Sequence, residues 1–165
     1  MTPQQSRNAA YMLALLIPAA LMGGALISQY VFGLYPCEMC WWQRYPHIAA
    51  IVLALLALLA LTMRGSRAGD LLVRLAALAV GISGLIGAFH AGVEYHWWEG
   101  ITTCSRTGEV GGDPLAAIMD APVIRCDVAQ WTLFGVSLAG FNFLISATGA
   151  LAVFALLGRS NRRTA

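Results

Sequence analysis

The sequence predicts an all-α membrane protein: one integral membrane domain built as a four-transmembrane-helix bundle. Three observations carry this. Of the 165 residues, 59% are apolar and 11% charged, against roughly 45–50% apolar in soluble domains. Four apolar stretches reach or approach the length of about 20 residues that a helix needs to cross roughly 30 Å of hydrocarbon. No stretch alternates polar and apolar residues as a strand would, and helices satisfy their own backbone in lipid.

The first stretch covers about residues 9–31. Arg7 ahead of it resembles a signal-peptide start. The run is nevertheless long and has no clear small-x-small cleavage site, so it is expected to stay as an anchor. Pro18, with Gly23 and Gly24, is placed to kink it. The second stretch covers about 42–63, and the third about 71–93. On the third, Gly84, Ala88 and Gly92 share one face. The fourth covers about 131–157, where Gly135 and Ala139 repeat that spacing. Small residues so placed let helix backbones approach closely in lipid, and Asn142 is expected to hydrogen-bond between helices.

Arginine placement orients the bundle. All ten basic residues are arginine, and the net charge of +2 is too small and scattered for a nucleic-acid surface. Arg7 precedes the first stretch. Arg64, Arg67 and Arg74 surround the second connection, and Arg159, Arg162 and Arg163 follow the fourth stretch. The positive-inside bias then places both termini in the cytoplasm. The other two connections, about 32–41 and 94–130, are neutral to acidic and are expected to be loops facing outward, which in a bacterial cell is the periplasmic side. In the longer loop, Asp113-Pro114 reads as an N-cap followed by a first-turn proline. It would open a short interfacial helix carrying Leu115, Ile118 and Met119 on one face, after a Gly111-Gly112 hinge.

All four cysteines fall in these outer loops: Cys37 and Cys40 in the first, Cys104 and Cys126 in the second. That is the oxidising side, where disulfides persist. Four cysteines allow three pairings, and sequence alone does not choose between them. Cys37-Glu38-Met39-Cys40 stands at the N-terminal mouth of the second helix, where unpaired N–H groups and the helix dipole favour a thiolate. Arg44 follows Cys40 by one helical turn, so it can stabilise a Cys40 thiolate or hydrogen-bond a ring carbonyl.

The Cys-x-x-Cys could also be a structural bridge or half of a zinc site. Haem attachment is excluded because Trp41, not histidine, follows. Zinc would prefer a second close pair, and the other two cysteines are far apart, so no metal is expected. A structural bridge over so short a ring removes little chain entropy. Cys104 and Cys126, if paired, would close a long loop and could act as a staple or exchange with the first pair. The chain has no Gly-x-Gly-x-x-Gly fingerprint and no phosphate loop. By elimination, a thiol pair at the lipid boundary points to a lipid-soluble quinone as electron acceptor.

Pro36-Cys37-Glu38-Met39-Cys40, Arg44, Cys104, Cys126-Asp127, Asp113-Pro114, Trp131 and Phe134-Gly135-Val136-Ser137 together resemble the bacterial disulfide-bond formation protein B (DsbB) family over nearly the whole chain. The resemblance implies a thiol:quinone oxidoreductase that reoxidises a thioredoxin-like periplasmic oxidase of the DsbA type. Cys104 would form the mixed disulfide with that partner, with Cys126 as its own partner cysteine. Cys37 would receive the inter-loop attack. Cys40 would sit against the quinone, ubiquinone or menaquinone, with Arg44 polarising it. Family members can carry a histidine near the quinone, and both His90 and His96 lie in that region. His90 is the candidate quinone contact, and His96, beside Trp97 and Trp98, reads as an interface residue. His47 has no special claim, and Glu94 could tune a proton route. Two readings stay beside this one: an assembly protein with static disulfides, and a paralogue dedicated to one substrate.

Overall fold

The computed structural model describes residues 1–62, 66–102, 105–106 and 123–162. Helices α1 (Pro3–Tyr30), α2 (Glu38–Thr62), α3 (Ser66–Glu94) and α4 (Leu138–Arg162) run up and down in sequence. All 4 are long and apolar enough to cross a membrane. Going round the bundle, α1 packs on α2 and α4, and α3 closes the ring between them. Large apolar side chains such as Leu59, Leu78, Leu85 and Leu151 point outward, as a lipid-facing surface requires. The expected short helix at Asp113-Pro114, the Gly111-Gly112 hinge and Cys104 lie outside the described residues.

Local chemistry sets the helix starts. α1 begins well before residue 9 because Thr2 and Gln5 form a capping box: the Thr2 hydroxyl accepts the Gln5 backbone N–H at 3.2 Å, and Gln5 Oε1 accepts the Thr2 N–H at 2.8 Å. Pro3 takes the first turn, where its missing N–H costs nothing. Pro18 lies within α1, which continues past it. α2 begins at Glu38 because the Cys37 sulfur accepts the Cys40 backbone N–H at 3.3 Å, the role an N-cap oxygen usually fills. Cys40 is therefore in the first turn of the helix.

Two small antiparallel pairs shape the cysteine end. Strand β1 (Ser105–Arg106) pairs with β2 (Val123–Ile124), bringing Cys126 back over the bundle. β3 (Thr132–Leu133) pairs with β4 (Val136–Ser137). Strands of two residues are too short to leave an alternating signature in sequence. The second pair delays α4 to Leu138, later than the expected start near 131. Its turn, Phe134-Gly135, has φ of 52° and 78°, the left-handed pair that a tight hairpin demands. Gly135 therefore serves the turn and does not extend a small-residue face of α4, as the spacing had suggested. Tyr95 clamps this hairpin, donating from its hydroxyl to the Gly135 carbonyl and accepting the Ser137 N–H. Ser137 then caps α4 by accepting the Gly140 N–H at 3.1 Å.

On α3 the close approach to α4 is made by Gly84 and Gly87. A Cβ on Gly87 would lie 2.9 Å from the Ala139 carbonyl oxygen, and one on Gly84 would lie 3.0 Å from the Ser146 Cβ. Gly92, expected on the same helix-packing face, is instead covered by the Trp98 ring.

Candidate functional site

The first turn of α2, the C-terminal half of α3 and the returning second loop converge on one cluster. Cys37 and Cys40 place their sulfurs 3.1 Å apart. The Cys37 and Cys126 sulfurs and a His90 ring nitrogen all lie within 4.8 Å of one another, and all three residues are buried. His90 Nε2 is 3.5 Å from the Cys37 sulfur. The Thr102 hydroxyl donates to the Cys126 sulfur at 3.3 Å. Met39, Val93 and Ile124 pack around these sulfurs and make their surroundings largely apolar. Gln130 fastens the second loop to the first by donating to the Tyr35 carbonyl at 2.7 Å.

Burial and mutual contact set the thiol chemistry. The Cys126 contact favours a Cys37 thiolate, but the Cys40 contact and burial together outweigh it and push Cys37 from its ordinary 9.0 up to about 12. Contact with Cys37, then burial, raises Cys126 as well. Beside it, Arg125 pairs with the exposed Asp127 and holds that carboxyl down at about 2.

The cysteine pair opens into a cavity of about 240 Å³ lined by all four helices and by both loops. Its α1 wall is apolar, with Ala20, Leu21 and Gly24; Cys40, Arg44, His90 and Glu94 line its opposite side. Arg44 is 7% exposed. Its guanidinium donates to Gln29 Oε1 at 2.6 Å and to the Ala25 carbonyl at 3.3 Å, and it stacks on Trp41 at 4.9 Å. It thus reaches across to α1 and borders the cavity beside Cys40. Glu94 Oε1 is 3.8 Å from His90 Nε2, and its buried Oε2 has no hydrogen-bond partner among the described residues.

The structure brings Cys37, Cys40, Cys126, Arg44 and His90 together, while Cys104 is outside the described residues. His96 is exposed, at the turn that follows α3. His47 is buried, borders the cavity and bonds Asn142 Oδ1 and the Ser83 hydroxyl, each at 2.9 Å. Asn142 joins the helices as expected, donating to Gln43 Oε1 at 2.8 Å and to the Ser83 carbonyl at 3.1 Å. Gln43, Ser83 and Ser146 escaped the sequence reading, and His47 was given no special claim. The usable signal was spacing: Gln43 and His47, like Asn142 and Ser146, are polar pairs one turn apart in apolar helices. Two thiols and an imidazole this close are also a donor set for a thiophilic cation.

A family model described as "Disulfide bond formation protein DsbB" matches residues 7–156. Among curated proteins, the disulfide bond formation protein B of Verminephrobacter eiseniae (strain EF01-2) is 34% identical over 149 residues, covering 87% of this chain and 81% of that protein. That of Polaromonas sp. (strain JS666 / ATCC BAA-500) is 32% identical over 154 residues, covering 87% and 86%. That of Aromatoleum aromaticum is 30% identical over 166 residues, covering 96% and 95%. No solved structure matches the chain. Four membrane-length helices, a Cys-x-x-Cys capping the second and a match over most of the chain agree: this protein belongs to the DsbB family of disulfide bond formation proteins.

Proposed function

We propose that the protein is a thiol:quinone oxidoreductase that reoxidises a thioredoxin-like dithiol oxidase of the DsbA type. The observation that carries this is the meeting of Cys126, from the second loop, with Cys37, at the mouth of α2. Two cysteines from separate loops, buried near each other, support exchange between the two pairs.

The exchange starts from two disulfides, Cys37–Cys40 and Cys104–Cys126. A thiolate of the partner attacks Cys104; the new bond joins partner and Cys104, and Cys126 leaves with the electron pair. Cys126 attacks Cys37, forming Cys37–Cys126 and releasing the Cys40 thiolate beside Arg44. The partner's second thiol attacks its own sulfur in the mixed disulfide, so the partner leaves oxidised and Cys104 is freed. Cys104 then takes Cys126 back, and Cys37 leaves as the second thiol of a reduced Cys37/Cys40 pair. A quinone, when bound, accepts the two electrons of that pair. A partner near −120 mV is a strong oxidant and needs a stronger acceptor still.

The residues present fit such a ring. The apolar α1 wall would hold its faces, Arg44 supplies a fixed donor to a carbonyl oxygen, and His90 and Glu94 border the same cavity. The arginine distribution supports an inner-membrane placement with both termini cytoplasmic and the cysteine end periplasmic. The test is ubiquinone reduction, followed by absorbance, in purified protein supplied with a reduced thioredoxin-like partner. Wild type should turn over and Cys40→Ser should not; equal rates would reject the site.

A further inference from the structure

We infer that Gln43 is a positioning residue that fixes the ring tautomer of His90, so that His90 presents an Nε2–H to the Cys37 sulfur. The inference rests on the relay proposed above for its role, but its structural part follows from hydrogen bonds alone.

The assignment starts at two backbone carbonyls, which can only accept. Asn142 Nδ2 lies 3.1 Å from the Ser83 carbonyl oxygen, so the amide nitrogen is on that side. Asn142 Oδ1 then faces the Ser146 hydroxyl and His47 Nε2, each at 2.9 Å. The same Nδ2 donates to Gln43 Oε1 at 2.8 Å. Gln43 Nε2 must therefore be the other amide arm, and it donates to the Met39 carbonyl at 3.2 Å. Reversing the Gln43 amide would set oxygen against the Met39 oxygen and nitrogen against the Asn142 nitrogen. With Gln43 so fixed, its Nε2 approaches His90 Nδ1 at 2.8 Å as a donor. His90 Nδ1 must accept, so the proton of the neutral ring sits on Nε2.

That Nε2 lies 3.5 Å from the Cys37 sulfur and 3.8 Å from Glu94 Oε1, and the Cys126 backbone is a further acceptor beside the ring. A protonated Nε2 has no lone pair for a cation, which counts against the metal reading of the Cys37, Cys126 and His90 cluster. Its use falls at the last exchange step. When Cys104 takes Cys126 back, the Cys37–Cys126 bond breaks, the Cys104–Cys126 bond forms, and the electron pair stays on Cys37. A buried thiolate is a poor leaving group, and a fixed N–H directed at it stabilises the charge as it appears.

The tautomer is read from nitrogen NMR of [15N]histidine-labelled reduced protein in detergent, without quinone or partner, with His90 assigned through His90→Phe. Wild type should show His90 protonated at Nε2. Gln43→Leu should lose that single tautomer, and Gln43→Glu, whose carboxylate accepts, should place a proton on Nδ1. Nδ1 protonation in wild type, or an unchanged His90 pattern in both variants, overturns the assignment. For the role, acid-quenched samples alkylated and weighed by mass spectrometry follow decay of the Cys37–Cys126 species. Gln43→Leu should slow it about tenfold and add nothing in a His90→Phe background. Independent, multiplying effects of the two variants would reject the coupling. A chain that shows the expected tautomer yet never reduces quinone would sink the functional reading and leave the tautomer assignment standing.

Discussion

The two ends of this bundle are held by different physics. At the end away from the cysteines, the buried core is mostly alanine and valine: Ala10 and Ala14 of α1, Ala50, Ala54 and Ala57 of α2, Val73, Ala76, Ala77 and Val80 of α3, with Ala150, Val153 and Leu157 of α4. Small side chains let the backbones close up, and the contact is dispersion over a long seam. Arg7, Tyr11 and Asp70 finish that end: Arg7 Nε donates to Asp70 Oδ1 at 3.0 Å and the Tyr11 hydroxyl donates to the same oxygen at 2.9 Å. At the cysteine end the same helices are joined by side-chain hydrogen bonds among Gln43, His47, Ser83, His90 and Asn142, under a lid of loop segments. Packing of small residues tolerates sliding by small amounts. A hydrogen-bond network does not, since each buried polar group left without a partner costs about 1–3 kcal/mol. The cysteine cluster lies where the geometry is most strongly determined.

Breaking the reactive end should have the largest effect. Cys40→Ser removes the sulfur that faces the cavity, and quinone reduction should fall at least about a thousandfold while helix content by circular dichroism is unchanged. Retained turnover would shift the reactive sulfur elsewhere.

Next in size is a difference between redox forms. In the dithiol form, Cys37 is pushed up to about 12 from 9.0. At pH 8 its thiolate population, and hence its alkylation by iodoacetamide, should be about a thousandfold below that of an ordinary thiol. The sign for stability follows. A raised folded-state value means that the fold holds its proton while the unfolded chain loses one, so stability is intact below pH 9 and declines as pH rises toward about 12. The Cys37–Cys40 disulfide form lacks this decline. Chemical denaturation of both forms between pH 8 and 10.5 separates them, and parallel curves would remove the Cys37 thiol as the cause.

Arg44→Gln sharpens the comparison without destroying the pair. It loses the fork to Gln29 and Ala25 and the fixed charge at the cavity. The apparent KM for quinone should rise about tenfold, with Cys37 and Cys40 still oxidisable; an unchanged quinone dependence would take Arg44 out of the site. At the opposite end, Leu157→Ala empties a position only 1% exposed. It should cost about 2 kcal/mol in detergent unfolding and leave the quinone KM alone. The smallest effect belongs to Asp70→Asn, whose pair with Arg7 is about one-fifth exposed on both sides and should contribute no more than about 1 kcal/mol.

Much of the fold was readable one element at a time. A membrane-spanning run declares itself by length and composition, because lipid demands the same thing of every residue in it. The Cys-x-x-Cys at the start of α2, and Arg44 one turn later, were legible because they depend only on helix geometry within one segment. The start of α4 was misplaced because an apolar hairpin at residues 132–137 has the hydropathy of a helix and differs from it only in its turn. His47 was passed over because one buried histidine in an apolar run looks the same whether or not it has partners.

By itself, the sequence determined the number of membrane-length helices, the Cys-x-x-Cys at the mouth of α2 with Arg44 one turn on, and the presence of cysteines in two separate loops. Only the tertiary structure decided that Cys126 would meet Cys37, that Gln43 and His90 would pair between α2 and α3, and that Arg44 would reach across to α1. The physical reason is range. Helix formation and capping are settled within a turn or two of chain, whereas the partners of a buried polar group are chosen by the relative rotation and register of whole helices.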